Sequence, residues 1–242
     1  MLVKVAFMTT LDNAPSVLWK AFDVLDAFSH GRRVLTLSEI SRRSGLPKST
    51  VHRILLMLLK VQAVEQVDGG YTVGLRMFTV GSMSAEVRLR ELSLPHLERL
   101  RRVTRQTVHL AVIRDGDAIY LEKLPSLVSP HTPALVGGRL PAHRTGVGKA
   151  LLAFNEDQHR VGPSLALRLE SVRRDGFASD REESARGLAC VAVPILVGER
   201  APAAISVAFA ANDGDGQIFL NALRETACAL SRVVASVPSL VS

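Results

Sequence analysis

The sequence predicts an α+β protein built in two parts, and three observations carry that expectation. Three helical periodicities followed by a hairpin signal fill the first 74 residues. A further helical stretch, Leu75 to about Val87, reads as a connector. Beyond it, β-rich runs recur between amphipathic helices. The expected division is therefore 14–74, a linker helix over 75–88, and a second domain over 89–237.

Helix one is predicted from Pro15 to Phe28, where Val17, Leu18, Ala21, Val24, Leu25 and Phe28 recur at helical spacing before His30-Gly31. Thr36-Leu37-Ser38-Glu39 has the form of a capping box and opens helix two, with Leu37 and Ile40 inward. Gly45 suits the left-handed turn that ends it. Pro47 can open helix three, expected to reach Leu59, because its missing amide hydrogen would have no partner in a first turn. Ala63–Val67 and Tyr71–Val73, separated by Asp68-Gly69-Gly70, read as a hairpin. In the second part an amphipathic helix is expected from Leu92 to Gln106, then strands Thr107–Ile113 and Ala118–Leu124. A glycine-rich loop at Gly137–Gly148 precedes a helix expected from Lys149. A helix near Leu165–Arg174, a hairpin across Gly198-Glu199-Arg200 and a last helix over Gln217–Val234 complete the chain.

Composition narrows the function. The 242 residues are 47% hydrophobic and 22% charged, as in globular proteins. The longest apolar runs, Ile54–Leu59 and Val191–Val197, fall far short of the roughly 18–20 residues of a membrane span. The first ten residues lack a secretion-signal pattern, and the two cysteines, Cys190 and Cys228, have neither metal-ligand spacing nor disulfide density, so a cytoplasmic setting and no membrane partner are expected. The net charge of +7 favours polyanionic partners. Ser16 to Arg76 carries nine Lys and Arg against five acids.

Three helices and a hairpin in this order make a winged helix-turn-helix, a double-stranded DNA reader. Ile40, Leu46, Val51 and Ile54 supply its inward set, and Ser41 is small where helices two and three approach. Outward on helix three stand Lys48, Ser49, Thr50, His52 and Arg53, short hydroxyls and basic tips suited to a helix entering the major groove; Thr50 and Arg53 are the candidate base readers. Ser38, Arg42, Arg43 and the hairpin tip at Gly69 and Gly70 are candidates for phosphate contact. The competing reading is a basic, solvated surface helix.

The segments "LSEISRRSGLPKSTVHRILLML", "YTVGLRMFTVG", "LPAHRTGVGKALLA" and "RRDGFASDREESARGLACVAVPI" together resemble the IclR family of bacterial regulators, from about Ser16 to Val234. The resemblance implies a linker helix used in dimerisation, a GAF-like effector-binding domain, assembly as a homodimer or homotetramer, palindromic promoter sites, and a small organic acid as effector. It places the effector site at Gly146, Val147, Asp180, Cys190 and Ser206, with the amides of Gly146 and Val147 as an anion cradle. Between Ala153 and Ser171 the chain is shorter than the family's usual run by roughly two dozen residues, Ala208 stands where some members carry a second hydroxyl, and Ala63 replaces a frequent glycine.

Other chemistries find less support. "TGVGKA" fails as a phosphate loop, because His143 occupies the first glycine position and Ala150 the Ser/Thr position. His30, His52, His96, His109, His131, His143 and His159 show no metal-binding pair, and no cofactor, metal or catalytic residue is expected. Cys190 reads as a small buried hydrophobe or a ligand contact, and Asp180 as a pocket residue or an acidic helix start. Alternatives to a ligand-responsive repressor or activator are a constitutive DNA-binding protein whose shortened second domain only dimerises, and an enzyme on a DNA-binding fold, which lacks a visible nucleophile–base pair.

Overall fold

The structure, a computed structural model, describes residues 16–29, 33–155, 162–237 and 240. Pro15, His30, Gly31 and His159, which entered the reading of the sequence, lie outside the described residues, as does part of the Ala153–Ser171 interval. The fold is α+β and divides into two compact units with the boundary between Gly81 and Ser82. No described helix is long and apolar enough to cross a membrane.

The first unit comprises helices α1 (Val17–Asp26), α2 (Leu37–Ser44) and α3 (Lys48–Lys60), strands β1 (Val64–Val67) and β2 (Gly70–Val73), and helix α4 (Leu75–Gly81). The capping box forms: the Glu39 amide donates to Thr36 Oγ1 at 3.3 Å, and the Thr36 amide donates to Glu39 Oε2 at 2.9 Å. Gly45 closes α2 at φ 72°. The Ser41 hydroxyl then spans the turn to the Leu46 carbonyl at 2.7 Å. Val24, Leu35, Ile40, Val51, Ile54, Leu55 and Leu58 form the core beneath. The hairpin β1–β2 is antiparallel, and Tyr71 extends it by pairing with Leu35 ahead of α2. That pairing explains Gly70, whose φ is +155° and where a Cβ would lie 2.3 Å from the Leu35 carbonyl oxygen.

The expected connector differs from the one observed. α4 stops at Gly81, and α5 (Ala85–Thr104) starts after Ser84, whose hydroxyl accepts from the Val87 amide at 3.3 Å. Residues 85–87 thus open the helix that was expected only from Leu92. Pro95 sits inside α5, where an interior proline costs about 3 kcal/mol, and the burial of Leu89, Leu97 and Leu100 holds the helix together across it.

The second unit continues with β3 (Thr107–Arg114), β4 (Asp117–Leu124), β5 (Arg139–Pro141), α6 (Gly146–Leu152), α7 (Pro163–Asp175), β6 (Ala178–Arg181), β7 (Leu188–Val197), β8 (Arg200–Ala210) and α8 (Leu220–Ala235). The strands form one antiparallel sheet in the order β5-β4-β3-β8-β7-β6. Alternation along each strand gives the sheet two unlike faces. Val108, Leu110, Val191, Val193, Ile205, Val207 and Phe209 point to the side covered by α5 and α8. Ala111, Ala118, Ala178, Ala192 and Ala204 point to the other, where their small side chains let α6 lie close, with Val147, Ala150 and Leu151 packed on them.

Three local expectations shift by about a turn or change type. α6 begins at Gly146 rather than near Lys149, because the Thr145 hydroxyl accepts from the Gly148 amide at 3.0 Å. The last helix opens as a 3-10 turn, Gln217–Phe219, before α8. Asp180 lies on β6, which removes the acidic helix start as its explanation.

The two hairpin glycines separate steric from conformational need. Gly69, at φ +87°, has open space around a would-be Cβ, whereas Gly70 meets backbone. Gly70→Ala is expected to lower the stability of the first unit by about 2 kcal/mol or more and Gly69→Ala by about 1 kcal/mol. Thermal unfolding checks the order, and equal losses would contradict the Leu35 contact as its cause.

Candidate functional site

Two separate surfaces gather the candidate residues, one in each unit. In the first, α3 turns Val51, Ile54, Leu55 and Leu58 inward, which leaves Lys48, Ser49, His52 and Arg53 exposed and Thr50 half-buried. Ser38 and Arg42 are exposed on α2, Gly69 is exposed at the hairpin tip, and Gly70 is half-buried. Arg43 has a framework role: its guanidinium donates to the Ala27 carbonyl at 2.9 Å and ties α2 to the end of α1.

In the second unit the sheet register assembles a pocket on the alanine-rich face. One row across the strands runs Lys123, His109, Ser206, Ala192, Ala178; the next runs Ala208, Cys190, Asp180. Val147 of α6 and the stretch Thr132–Ala134, between β4 and β5, cover this floor. The cavity measures about 20 Å³, room for a single water-sized occupant. Val147, Asp180, Cys190 and Ser206 all line it, and Gly146 backs it, since a Cβ there would sit 2.7 Å from Cys190 Sγ.

The polar groups around the cavity are held by specific bonds. Asp180 is almost fully buried; its Oδ1 accepts from the Glu183 and Ser184 amides at 2.8 and 3.4 Å, and its Oδ2 accepts from the Ser184 hydroxyl. Glu183 in turn receives the buried Lys149 ammonium and the Arg168 guanidinium on one oxygen, each at 2.8 Å. Burial works to raise the Glu183 carboxyl, and those two bonds overcome it, holding the group below its ordinary range. His109 lies between two hydroxyls, Nε2 at 3.2 Å from Thr132 Oγ1 and Nδ1 at 3.4 Å from Ser206 Oγ, with its ring edge-on to Tyr120. Burial, reinforced by the Lys123 charge, lowers the His109 pKa to about 3, so the ring is neutral. Burial, followed by the Asp180 charge, raises the Cys190 thiol to about 12, which keeps it protonated and a poor nucleophile.

The first-turn amides of α6 are largely spoken for. Gly148 donates to Thr145 Oγ1, Lys149 donates to the Thr145 carbonyl, and Gly146 faces the Cys190 sulfur, which leaves Val147 as the amide open to a ligand among the described residues. His109, Tyr120, Thr132, Thr145 and Ser184 belong to the site and were not anticipated from the sequence. The one local signal was Thr145, a hydroxyl three residues ahead of Gly148 in N-cap position.

The IclR helix-turn-helix domain profile matches residues 17–68, and the bacterial transcriptional regulator IclR C-terminal profile matches 82–161 and 162–232. The two matched stretches of the second profile meet between residues 161 and 162, inside the interval from Ala153 to Ser171. The transcriptional repressor IclR of Escherichia coli K12 is 32% identical over 214 residues, spanning 78% of each chain. The regulator XynR of the same organism is 30% identical over 244 residues, 89% of this chain and 95% of that one. Among solved structures, an IclR homolog from Microbacterium hydrocarbonoxydans complexed with 4-hydroxybenzoate superposes with a TM-score of 0.81 at 30% identity, covering 90% of this chain and 98% of the other. A winged helix-turn-helix unit, a curled-sheet unit with a small cavity on its alanine-rich face, and profile matches to both halves place this chain in the IclR family of transcriptional regulators.

Proposed function

We propose that this regulator is a cytoplasmic homodimer or homotetramer that reads a palindromic promoter site and changes its grip when a small organic acid occupies the second unit. The convergence of Val147, Asp180, Cys190 and Ser206 on one cavity carries the sensing half of that reading. The DNA half rests on the exposed α3 face: Thr50 and Arg53 read bases, with Lys48, Ser49 and His52 beside them, while Ser38, Arg42, Gly69 and Gly70 meet phosphates. In this reading 14–74 is the DNA-binding domain, 75–88 the linker and 89–237 the effector domain, with Gly146 backing the effector pocket. Association is supported by the apolar residues that α1 and α4 leave exposed, among them Leu18, Trp19, Phe22, Leu75 and Phe78. Two-fold pairing presents two reading helices to two half-sites.

Coupling runs through β3. His109 faces the cavity, while its neighbours Val108 and Leu110 pack on the opposite face in one cluster with Leu97 and Leu100 of α5. An occupant that displaces β3 therefore strains the α5 packing, and it shifts DNA affinity only by binding the two arrangements unequally. The small cavity and the interrupted C-terminal match favour a second reading, a constitutive DNA-binding protein that has lost its sensor. A panel of small organic acids separates the two: a true effector raises the Tm and shifts operator affinity, and failure of every acid on both measures leaves the constitutive reading.

Arg53→Ala is expected to cost about 1–3 kcal/mol of specific operator binding. Gel-shift titration checks it, and unchanged affinity removes Arg53 from base reading. Stability should also depend on His109. Its folded pKa, about 3, lies below the ordinary 6.5, so the unfolded chain takes a proton that the folded ring refuses. The neutral ring's contribution is complete above pH 6.5 and is lost as pH falls toward 3, up to about 5 kcal/mol at about 1.4 kcal/mol per unit. Urea unfolding at pH 7 and pH 4.5 should show a smaller acid loss for His109→Gln than for the native chain.

A further inference from the structure

α5 ends on a band of arginines. Residues 99–105, "RLRRVTR", carry four arginines and no acid, and the burial of Leu100 turns them outward. Arg101 is held within the helix, paired with Glu98 at 3.0 Å. Arg99, Arg102 and Arg105 are exposed, and no carboxylate among the described residues pairs with them. Their spacing of three residues winds them round the end of the helix over roughly 9 Å of its axis. The helix dipole explains part of this, since α2 and α7 also carry two arginines in the last turn, Arg42 with Arg43 and Arg173 with Arg174. The next position sets α5 apart. Gly45 and Gly176 cap α2 and α7 in the left-handed region, at φ 72° and 75°, whereas Arg105 takes that place at φ 58°. A side chain is strained there and glycine is not. The turn is clamped from both sides: the Arg105 amide donates to the Arg101 carbonyl at 2.8 Å, and its carbonyl accepts from the Ser126 hydroxyl at 2.5 Å.

We propose that Arg99, Arg102 and Arg105 form a second, sequence-independent DNA contact, in which their guanidinium groups bind backbone phosphates outside the site read by the winged helix-turn-helix. The proposal rests on membership of a DNA-binding family and is independent of the effector reading. A guanidinium fork matches two phosphate oxygens, and a duplex offers a charge about every 1.7 Å of its axis, so the band needs no particular base to find partners. A duplex already held by the first unit is presented to the rest of the same chain at high effective concentration, so contacts too weak to bind alone still add to the whole. The acidic loop that follows β8 does not quench the band. Arg181 of β6 donates to the Ala211 and Gly214 carbonyls of that loop at 2.6 and 3.1 Å. Asp213 and Asp215 are thereby drawn toward β6, three places in the sheet from β3, the strand into which α5 leads. Selection for phosphate binding also accounts for an arginine where the two other left-handed helix caps carry glycine.

Fluorescence anisotropy tests it, with the full chain titrated onto a duplex of roughly 60 base pairs and arbitrary sequence across about 50 to 200 mM salt. Each phosphate neutralised contributes about 0.9 to the slope of log affinity against log salt. Arg99→Gln, Arg102→Gln and Arg105→Gln combined should therefore flatten the slope by about two to three per chain and weaken low-salt binding by about tenfold or more. The same three positions changed to lysine, which keep the charge, should retain most of the native slope. Arg105→Gly separates a DNA contact from a helix terminus: its Tm should stand at or above that of the native chain while its DNA affinity falls. A native slope in the triple glutamine variant, or native DNA affinity in Arg105→Gly, overturns the proposal. A lowered Tm with the native slope then assigns the arginines to the helix dipole. An unchanged Tm with the native slope leaves the band, together with the exposed Leu127 and Val128 beside Ser126, to an acidic protein partner.

Discussion

The second unit depends on the difference in bulk between the two faces of one sheet. On one face, branched and aromatic side chains fill the space under α5 and α8 and form the larger of the unit's two apolar clusters. On the other, a run of alanines removes that bulk, and α6 settles close enough for Val147 to roof a cavity. A buried carboxylate, imidazole and several hydroxyls can then share that face, because each has bonded partners and the opposite face carries the packing. Gly146 and Gly148 belong to the same constraint: a Cβ at either would strike Cys190 Sγ or the Ala142 backbone, so α6 could not sit where it does.

The first unit was readable from sequence because its determinants are local. Thr36 with Glu39, Gly45 and Pro47 fix where two helices begin and end within a dozen residues, and the inward positions of α3 follow from periodicity alone. The hairpin tip was equally clear, yet the reason for Gly70 was not, since the Leu35 carbonyl that excludes a side chain lies 35 positions earlier. Arg43 is a similar case. It looked like one more basic residue on a DNA face, and its bond to Ala27 is visible only once α1 is packed against α2.

The second unit shows the limit more sharply. His109 and Ser206 meet across 97 residues, through strands that become neighbours only in the closed sheet. No local pattern announces that pair, and the pocket residues that were anticipated came from resemblance rather than from spacing. The connector departs from the sequence pattern for a physical reason of another kind. The hydroxyl of Ser84 sets the start of α5, and burial on the sheet carries the helix through Pro95.

The size of the cavity bears on how a cell could be tuned to its signal. A space of about 20 Å³ admits no organic acid of ordinary size until Ser184, Thr132 or their neighbours move outward. Apparent affinity is then the intrinsic affinity multiplied by the fraction of molecules already open. The bonds of Lys149 and Arg168 to Glu183, and of Lys123 to the Thr132 and Ala134 carbonyls, hold the walls of the pocket from outside its lining. In a ligand-responsive regulator of this build, the concentration that produces a response is therefore adjustable through wall residues, with the groups lining the pocket unchanged.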